Sequence, residues 1–305
     1  MIKYIPLHLF YWSIIIGLFG CNETDSISVQ SSDDNNPETA TIVTKTINHN
    51  QQVREYHLYI PSSYKSAVNS CLLMNFHGFG GDALYHMQYA DMKDIADENN
   101  IILVYPQGTP DSEGSPHWNP CPNGGDNKSN ADDLGFVESM LNAISSEYSI
   151  DQERIFAIGY SNGGMMAYGL ANYKSDLIAG VGSVSGTMLD CIGTTSHPMP
   201  VLHLHGTLDG DIPYEGNNYY NSVQSTLDHW INFNQTTTEP IVTSENQGSI
   251  SVEHSVYDNG TNGVAIEHYK YIGGSHVWFD TEFDSQTTSQ LIWNFFSRYD
   301  LNGLR

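Results

Sequence analysis

The 305-residue chain predicts an α/β fold, a mostly parallel twisted sheet with helices on both faces and an antiparallel hairpin at its N-terminal end. Three observations carry this expectation. Short continuous apolar runs, "CLLMNF", "IILVYPQG", "RIFAIG" and "PVLHLHG", read as strands buried on both faces. Segments with helical spacing lie between them, and alternation of strand and helix is the mark of a parallel sheet. A lone serine, Ser161, stands between Gly159 and Gly163 where one apolar strand gives way to a helix.

The elements follow in order. The first twenty residues, "MIKYIPLHLFYWSIIIGLFG", join one lysine to an apolar stretch and lead into Leu18-Phe19-Gly20-Cys21. That is the pattern of a bacterial lipoprotein signal, residues 1–20, which predicts export and a lipid on Cys21 that holds the chain to a membrane in the periplasm or at the cell surface. The apolar run is short for a spanning helix, which needs about 20 apolar residues. Residues 21–38 are polar, acidic and without periodicity, so they predict a flexible tether and leave 39–305 as one folded domain.

Within that domain, Thr39 to Thr46 and Val53 to Ile60 predict the hairpin, turning in "NHNQQ". "CLLMNF" is a strand that ends at "HGFGG", helical material runs from about Met87 to Asn99, and "IILVYPQG" is the next strand. A loop rich in Gly, Pro and Asn follows; then "ADDLGFVESMLNAISSEY" places Leu134, Val137, Leu141 and Ile144 on one helical face. Beyond the serine turn, "GVGSVSG", "PVLHLHG" and "AIEHYKYIGG" read as strands, with helices from about Asn217 to Phe233 and Thr287 to Tyr299. Ligands of such sheets bind beyond the carboxyl ends of the strands, where Ser161 lies.

Composition narrows the partners. A net charge of −24, from 35 acidic and 11 basic residues, repels polyanions, so nucleic acid is excluded as a partner. With Cys21 assigned to lipid, Cys71, Cys121 and Cys191 remain. Cys121 and Cys191 both lie in segments that follow strands and are expected to pair, while Cys71 opens an apolar strand and reads as a buried thiol.

The serine turn carries chemistry only if a base and an orienting acid follow it, because a serine hydroxyl alone is a poor nucleophile. Gly159, Ser161 and Gly163 match the nucleophile elbow G-x-S-x-G, whose partners follow in the order Asp or Glu, then His, each after a later strand. The strand "PVLHLHG" runs into Asp209 and Asp211, and "AIEHYKYIGG" runs into His276. Backbone N–H groups of Asn162 and of Phe79 in "HGFGG" are the expected oxyanion donors. The bland alternative is a glycine-rich turn whose serine merely caps a helix. His77 and His205, each before a glycine at a strand end, read as packed and hydrogen-bonded. "GFGGDA" fits the dinucleotide fingerprint, but the next strand ends without the acidic residue that would hold a ribose. No metal-binding or P-loop motif occurs, and no cofactor is expected.

Taken together, "HGFGG", "VYPQGT", "HWN", "DDLGFV", "IDQERIFAIGYSNGGMMAY", "VSGTM", "HLHGTLDGDIPY" and "GGSHVWF" resemble, in order, the secreted serine esterases that group feruloyl and other carbohydrate esterases with polyhydroxybutyrate depolymerases. The resemblance spans about Asn75 to Phe279. It implies the α/β-hydrolase fold, an acyl-enzyme mechanism on carboxylic esters, and a triad of Ser161, Asp209 and His276, with Asp211 as second choice. Trp118 and Trp278 become candidates for the substrate pocket. Ser275 stands where the family usually has glycine, and Phe279 where it often has proline. The implied substrate is an acylated polysaccharide; the alternatives are a polyester oligomer and, in another class, a non-catalytic surface binding protein.

Overall fold

The computed structural model describes residues 39–305 except Gly125. The expected signal at 1–20, the lipidated Cys21 and the tether at 21–38 lie outside the described residues. Strand β1 (Thr41–His49) and β2 (Gln52–Ile60) form the expected hairpin. Their two-residue turn places Asn50 and Gln51 at φ 49° and 66°, the left-handed backbone that matches strand twist. Then come β3 (Ser70–Phe76), α1 (Ala83–Tyr89), α2 (Lys93–Asn99), β4 (Ile101–Pro106), a two-rung ribbon of β5 (Thr109–Pro110) and β6 (Pro116–His117), and α3 (Asp133–Glu147). The second half holds β7 (Ile150–Tyr160), α4 (Asn162–Tyr173), β8 (Gly180–Val184), β9 (Val201–Gly206), α5 (Val223–Asn234), β10 (Ile241–Gln247), β11 (Ile250–Tyr257), β12 (Ile266–Ile272), α6 (Thr288–Phe296), β13 (Tyr299–Asp300) and β14 (Gly303–Leu304).

Ten strands make one sheet in the order β1-β2-β4-β3-β7-β8-β9-β12-β11-β10. The six central strands are parallel and each edge is an antiparallel hairpin. Period-two alternation sorts the core onto two faces. Leu72, Met74 and Phe76 of β3 pack with α3, α4 and α5, whereas Leu73 packs with α1, α2 and α6. The mostly parallel α/β architecture with helices on both faces is therefore as the sequence predicts.

Two helices and one hairpin depart most from expectation. The helix read from Met87 to Asn99 is two helices, because the Asp91 carboxylate accepts the Lys93 N–H at 2.9 Å and restarts the chain after Ala90. The helix read from Asn217 begins at Val223: Asn217 instead accepts the N–H groups of Tyr219 and Tyr220, and Ser222 caps the helix by accepting from Ser225. The β10–β11 hairpin has no counterpart in the sequence reading, since β10 is exposed along most of its length and carries no apolar alternation.

Two ties hold the loops that approach the carboxyl ends of the strands. Cys121 and Cys191 are disulfide-bonded, as expected, and Cys71 is a buried free thiol. Arg54 on β2 reaches Asp133 of α3 at 2.6 Å with both side chains buried, its guanidinium 3.9 Å over the Phe136 ring. Asp133 also accepts the Asn119 N–H at 2.8 Å, which links "HWN" to "DDLGFV". Burial pushes the Asp133 pKa up despite the neighbouring guanidinium. Arg54→Leu would leave this carboxylate buried and unpaired, and a loss of about 3–5 kcal/mol is expected, read from the urea unfolding midpoint.

Candidate active site

Ser161 sits between β7 and α4 at φ 55° and ψ −120°, a strained backbone for a residue with a side chain. Its N–H donates to Val184 O at 2.8 Å, which anchors the turn to β8. The flanking glycines are sterically required. A Cβ on Gly159 would run into the Gly163 backbone, and one on Gly163 into the Phe76 carbonyl. The tight turn leaves Ser161 Oγ facing His276, whose Nε2 lies 2.9 Å away.

His276 Nδ1 is 2.7 Å from Asp209 Oδ2. Asp209 is buried at the end of β9, and its Oδ1 accepts the N–H groups of Asp211 and Ile212 at 3.0 and 2.8 Å. Burial alone would raise its pKa; hydrogen bonds from His205, His276 and the Ile212 N–H outweigh burial and hold the carboxyl well below the usual carboxylate range. Asp211 is exposed and contributes its backbone N–H to Asp209 rather than a carboxylate to His276. The loop of His276 is pinned from three sides: Tyr160 Oη donates to His276 O at 2.9 Å, Ser185 Oγ to Val277 O at 3.1 Å, and the Trp278 N–H donates to Tyr89 Oη at 2.8 Å. Phe279, in place of the more usual proline, stacks on Tyr271 with ring centres 3.7 Å apart and ties the loop to the core.

The two expected oxyanion donors lie on the same cleft as Ser161 and His276. Neither the Phe79 nor the Asn162 backbone N–H has an acceptor among the described residues. Asn162 opens α4, so its N–H belongs to the positive end of the helix. Its side chain clasps Trp118, accepting the Trp118 N–H at 2.7 Å and donating to Trp118 O at 3.1 Å. His77 shapes the loop of Phe79 by donating from Nδ1 to Gly78 O at 2.7 Å and accepting the Gly108 N–H at Nε2, 2.9 Å.

Both tryptophans depart from expectation. Trp118 is fully buried, its Nε1–H donates to His77 O at 3.0 Å, and it packs edge-on to Phe76, so it supports the loop of Phe79 and is not among the residues that line the cleft. Trp278 is buried edge-on against His86 and borders a neighbouring depression with Tyr89 and Phe279. Neither lines the cleft that holds Ser161. That cleft, about 740 Å³, is walled instead by Phe79, Tyr160, Met165, Ile212 and Tyr220. Tyr160 was visible at the second position of G-x-S-x-G but has no rule that singles it out, and Tyr220 lies in a turn without pattern. Among the described residues no cluster of His, Cys, Asp or Glu could hold a metal ion.

Four histidines around the site are buried and held neutral by desolvation: His77, with its pKa pushed down to about 4, His86 and His268, each to about 3, and His203, well below the ordinary value of 6.5. Each ring binds a proton in the unfolded chain at a pH where the folded chain leaves it neutral. The stability they contribute is complete above pH 6.5 and is lost as the pH falls toward their folded values. Stability is expected to fall from pH 7 to pH 5, by up to about 2 kcal/mol per histidine, and the melting temperature with it. Calorimetry across that range checks it.

With the geometry established, comparison with known proteins places the chain. Residues 60–247 match the family model described as phospholipase/carboxylesterase. The chain belongs to this phospholipase/carboxylesterase family. It is 26% identical over 252 residues to a bifunctional acetylxylan esterase/xylanase of Neocallimastix patriciarum, covering 82% of this chain and 34% of that protein. It is 30% identical over 166 residues to a probable feruloyl esterase C of Aspergillus terreus, covering 53% of this chain and 57% of the relative. The chain thus spans between a third and three-fifths of the length of these curated relatives. Among solved structures, the acetyl xylan esterase from Aspergillus awamori superposes with a TM-score of 0.58 at 14% identity, covering 84% of this chain and 99% of that one. A ferulic acid esterase from Anaeromyces mucronatus gives 0.52 at 15% identity over 87% and 92%. These likenesses agree with the α/β-hydrolase fold and the esterase grouping that the motifs imply.

Proposed function

We propose that the protein is an exported serine carboxylesterase that removes feruloyl or other acyl groups from polysaccharide through an acyl-enzyme. The observation that carries the mechanism is the continuous hydrogen-bonded series from Asp209 through His276 to Ser161, at 2.7 and 2.9 Å. His276 Nε2 accepts the Ser161 Oγ proton as the oxygen attacks the ester carbonyl, and Asp209 fixes the tautomer and stabilises the imidazolium. The carbonyl oxygen becomes an oxyanion against the Phe79 and Asn162 N–H groups. His276 returns the proton to the departing alkoxide, which leaves as the alcohol, and the acyl group stays on Ser161. Water, deprotonated by His276, then releases the carboxylic acid and restores the serine.

The substrate class rests on the relatives named for acetylxylan and feruloyl ester cleavage and on charge. Asp111, Glu113, Asp126 and Asp211 border the cleft against Lys128, so a neutral ester is favoured over one beside free carboxylates, and the acid product is repelled. Export and lipid on Cys21 rest on the pattern of residues 1–21. Initial rates on methyl ferulate, acetylated xylan and 3-hydroxybutyrate oligomers test the reading, with Ser161→Ala as control. Turnover of the first two is expected; turnover of the oligomers alone would make the protein an oligoester hydrolase, and no turnover of any ester would favour a binding protein.

A further inference from the structure

Behind the proposed triad lies a second row of polar side chains that the mechanism does not use. Tyr168 of α4 and His203 and His205 of β9 are buried with almost no exposure. Tyr168 Oη lies 2.8 Å from His203 Nδ1, His203 Nε2 lies 3.2 Å from His205 Nδ1, and His205 Nε2 lies 2.8 Å from Ile212 O and 3.2 Å from Asp209 Oδ2. The row therefore ends on the carboxylate oxygen that also faces His276.

Its direction follows from the acceptors. A carbonyl oxygen only accepts, so His205 Nε2 carries a proton toward Ile212 O and Asp209. With both rings neutral, His205 Nδ1 accepts from His203 Nε2–H, and His203 Nδ1 accepts from the Tyr168 hydroxyl. Every donor then points toward Asp209. Alternation along β9 puts both histidines on one face of the sheet, in the register where Val201 packs in the core, which is an expensive use of a core position unless the polar groups are satisfied.

We infer that His205 is a positioning residue for ester hydrolysis: its Nε2–H braces Asp209 and the following loop at Ile212, with Tyr168 and His203 fixing its tautomer from behind. This rests on the triad proposed above. Two hydrogen bonds from one ring, to the carboxylate and to the carbonyl three residues later, lock the Asp209–Ile212 turn in the shape that aims Oδ2 at His276. Sharing the charge of Asp209 between two imidazoles also limits how strongly it holds a proton on His276. The other titratable groups facing this cluster are Tyr160 from β7, Asp211 on the same loop, Tyr214 against the His205 ring, His268 from β12 on the carbonyl of His203, and Lys270, the β12 register partner of His205, with its ammonium over the Tyr214 ring.

The test compares two amides of different reach. The His205→Gln amide nitrogen reaches the place of Nε2, and His205→Asn falls short of it. His205→Asn is expected to lower kcat roughly 10- to 100-fold, the cost of misplacing a reacting group by about 1 Å, with KM within about twofold. The acid limb of kcat/KM, set by protonation of the base, is expected to move to higher pH. His205→Gln is expected to recover most of the rate and the wild-type limb. Circular dichroism confirms that both variants fold; should the shorter one not, His205→Phe, close in volume and without a donor, takes its place with the same expectation. If Asn, Gln and wild type share kcat and acid limb, the inference is overturned. Ser161→Ala measured alongside separates the two readings, because activity surviving there overturns the triad whatever His205 does.

Discussion

Ser161→Ala is expected to lower kcat by about 10⁵- to 10⁶-fold, the cost of losing the nucleophile of an interdependent triad, while substrate still binds. The structure makes this a clean experiment. Ser161 Oγ contacts His276, the serine supplies no side-chain cap to α4, and its N–H bond to Val184 survives the substitution. Stability should change little, so melting temperature within a few degrees of wild type and an unchanged Kd for a non-hydrolysable ester accompany the loss. The residual rate reports what the Phe79 and Asn162 N–H groups and the cleft contribute alone.

Asp209→Asn is expected to cost about 10⁴-fold in kcat, because an amide in place of the carboxylate no longer holds the proton of His276 on Nδ1. Hydrogen bonds from His205, His276 and the Ile212 N–H hold the Asp209 pKa well below the ordinary one, which keeps the carboxylate charged in mildly acid solution. The loss should therefore persist below neutral pH, rather than shrinking where an ordinary carboxyl would protonate. Asp211→Asn serves as the contrast. Its carboxylate is exposed and only its backbone N–H touches the network, so kcat within about threefold of wild type is expected for a surface substitution. Steady-state kinetics of the two variants side by side distinguish the acid that works from its neighbour.

The residues that make the elbow were legible because their geometry leaves few alternatives. Gly159 and Gly163 have no room for a side chain, and a serine between them at a strand-to-helix turn is the pattern of the nucleophile elbow. Asp209 and His276 were legible from chain order, each following a strand of the parallel sheet. What was illegible shares a different cause. Trp118 and Trp278 look alike in sequence to pocket aromatics, yet whether an indole faces a cleft or a core depends on partners far away, here His77 O, Asn162 and His86. The hairpin of β10 and β11 was missed because an exposed edge imposes no apolar period. The contact of His205 with Asp209 was hidden for the opposite reason: its placement before a glycine at a strand end announced a packed, hydrogen-bonded histidine, and only the fold discloses that one partner is Asp209.

The loops that build the cleft are held by interactions far apart in sequence. Arg54 and Asp133 tie the N-terminal hairpin to the helix beneath the "HWN" segment, Asn162 clasps Trp118 across 44 residues, and the Cys121–Cys191 bridge packs with Met165 and Ile212 of the cleft wall. Apart from Cys191, which is partly buried, the residues of these contacts are buried, which suits a site whose reacting atoms need to stay within a few tenths of an ångström of productive geometry.

The most direct test is covalent labelling of the purified protein with a fluorophosphonate, followed by intact mass and peptide mapping. The expected result is one phosphonyl group per chain, fluoride released, the label on the peptide containing Ser161, loss of esterase activity in step with labelling, and no label in Ser161→Ala. A label on another residue, or full activity in a protein that takes up no label, would contradict Ser161 as the nucleophile.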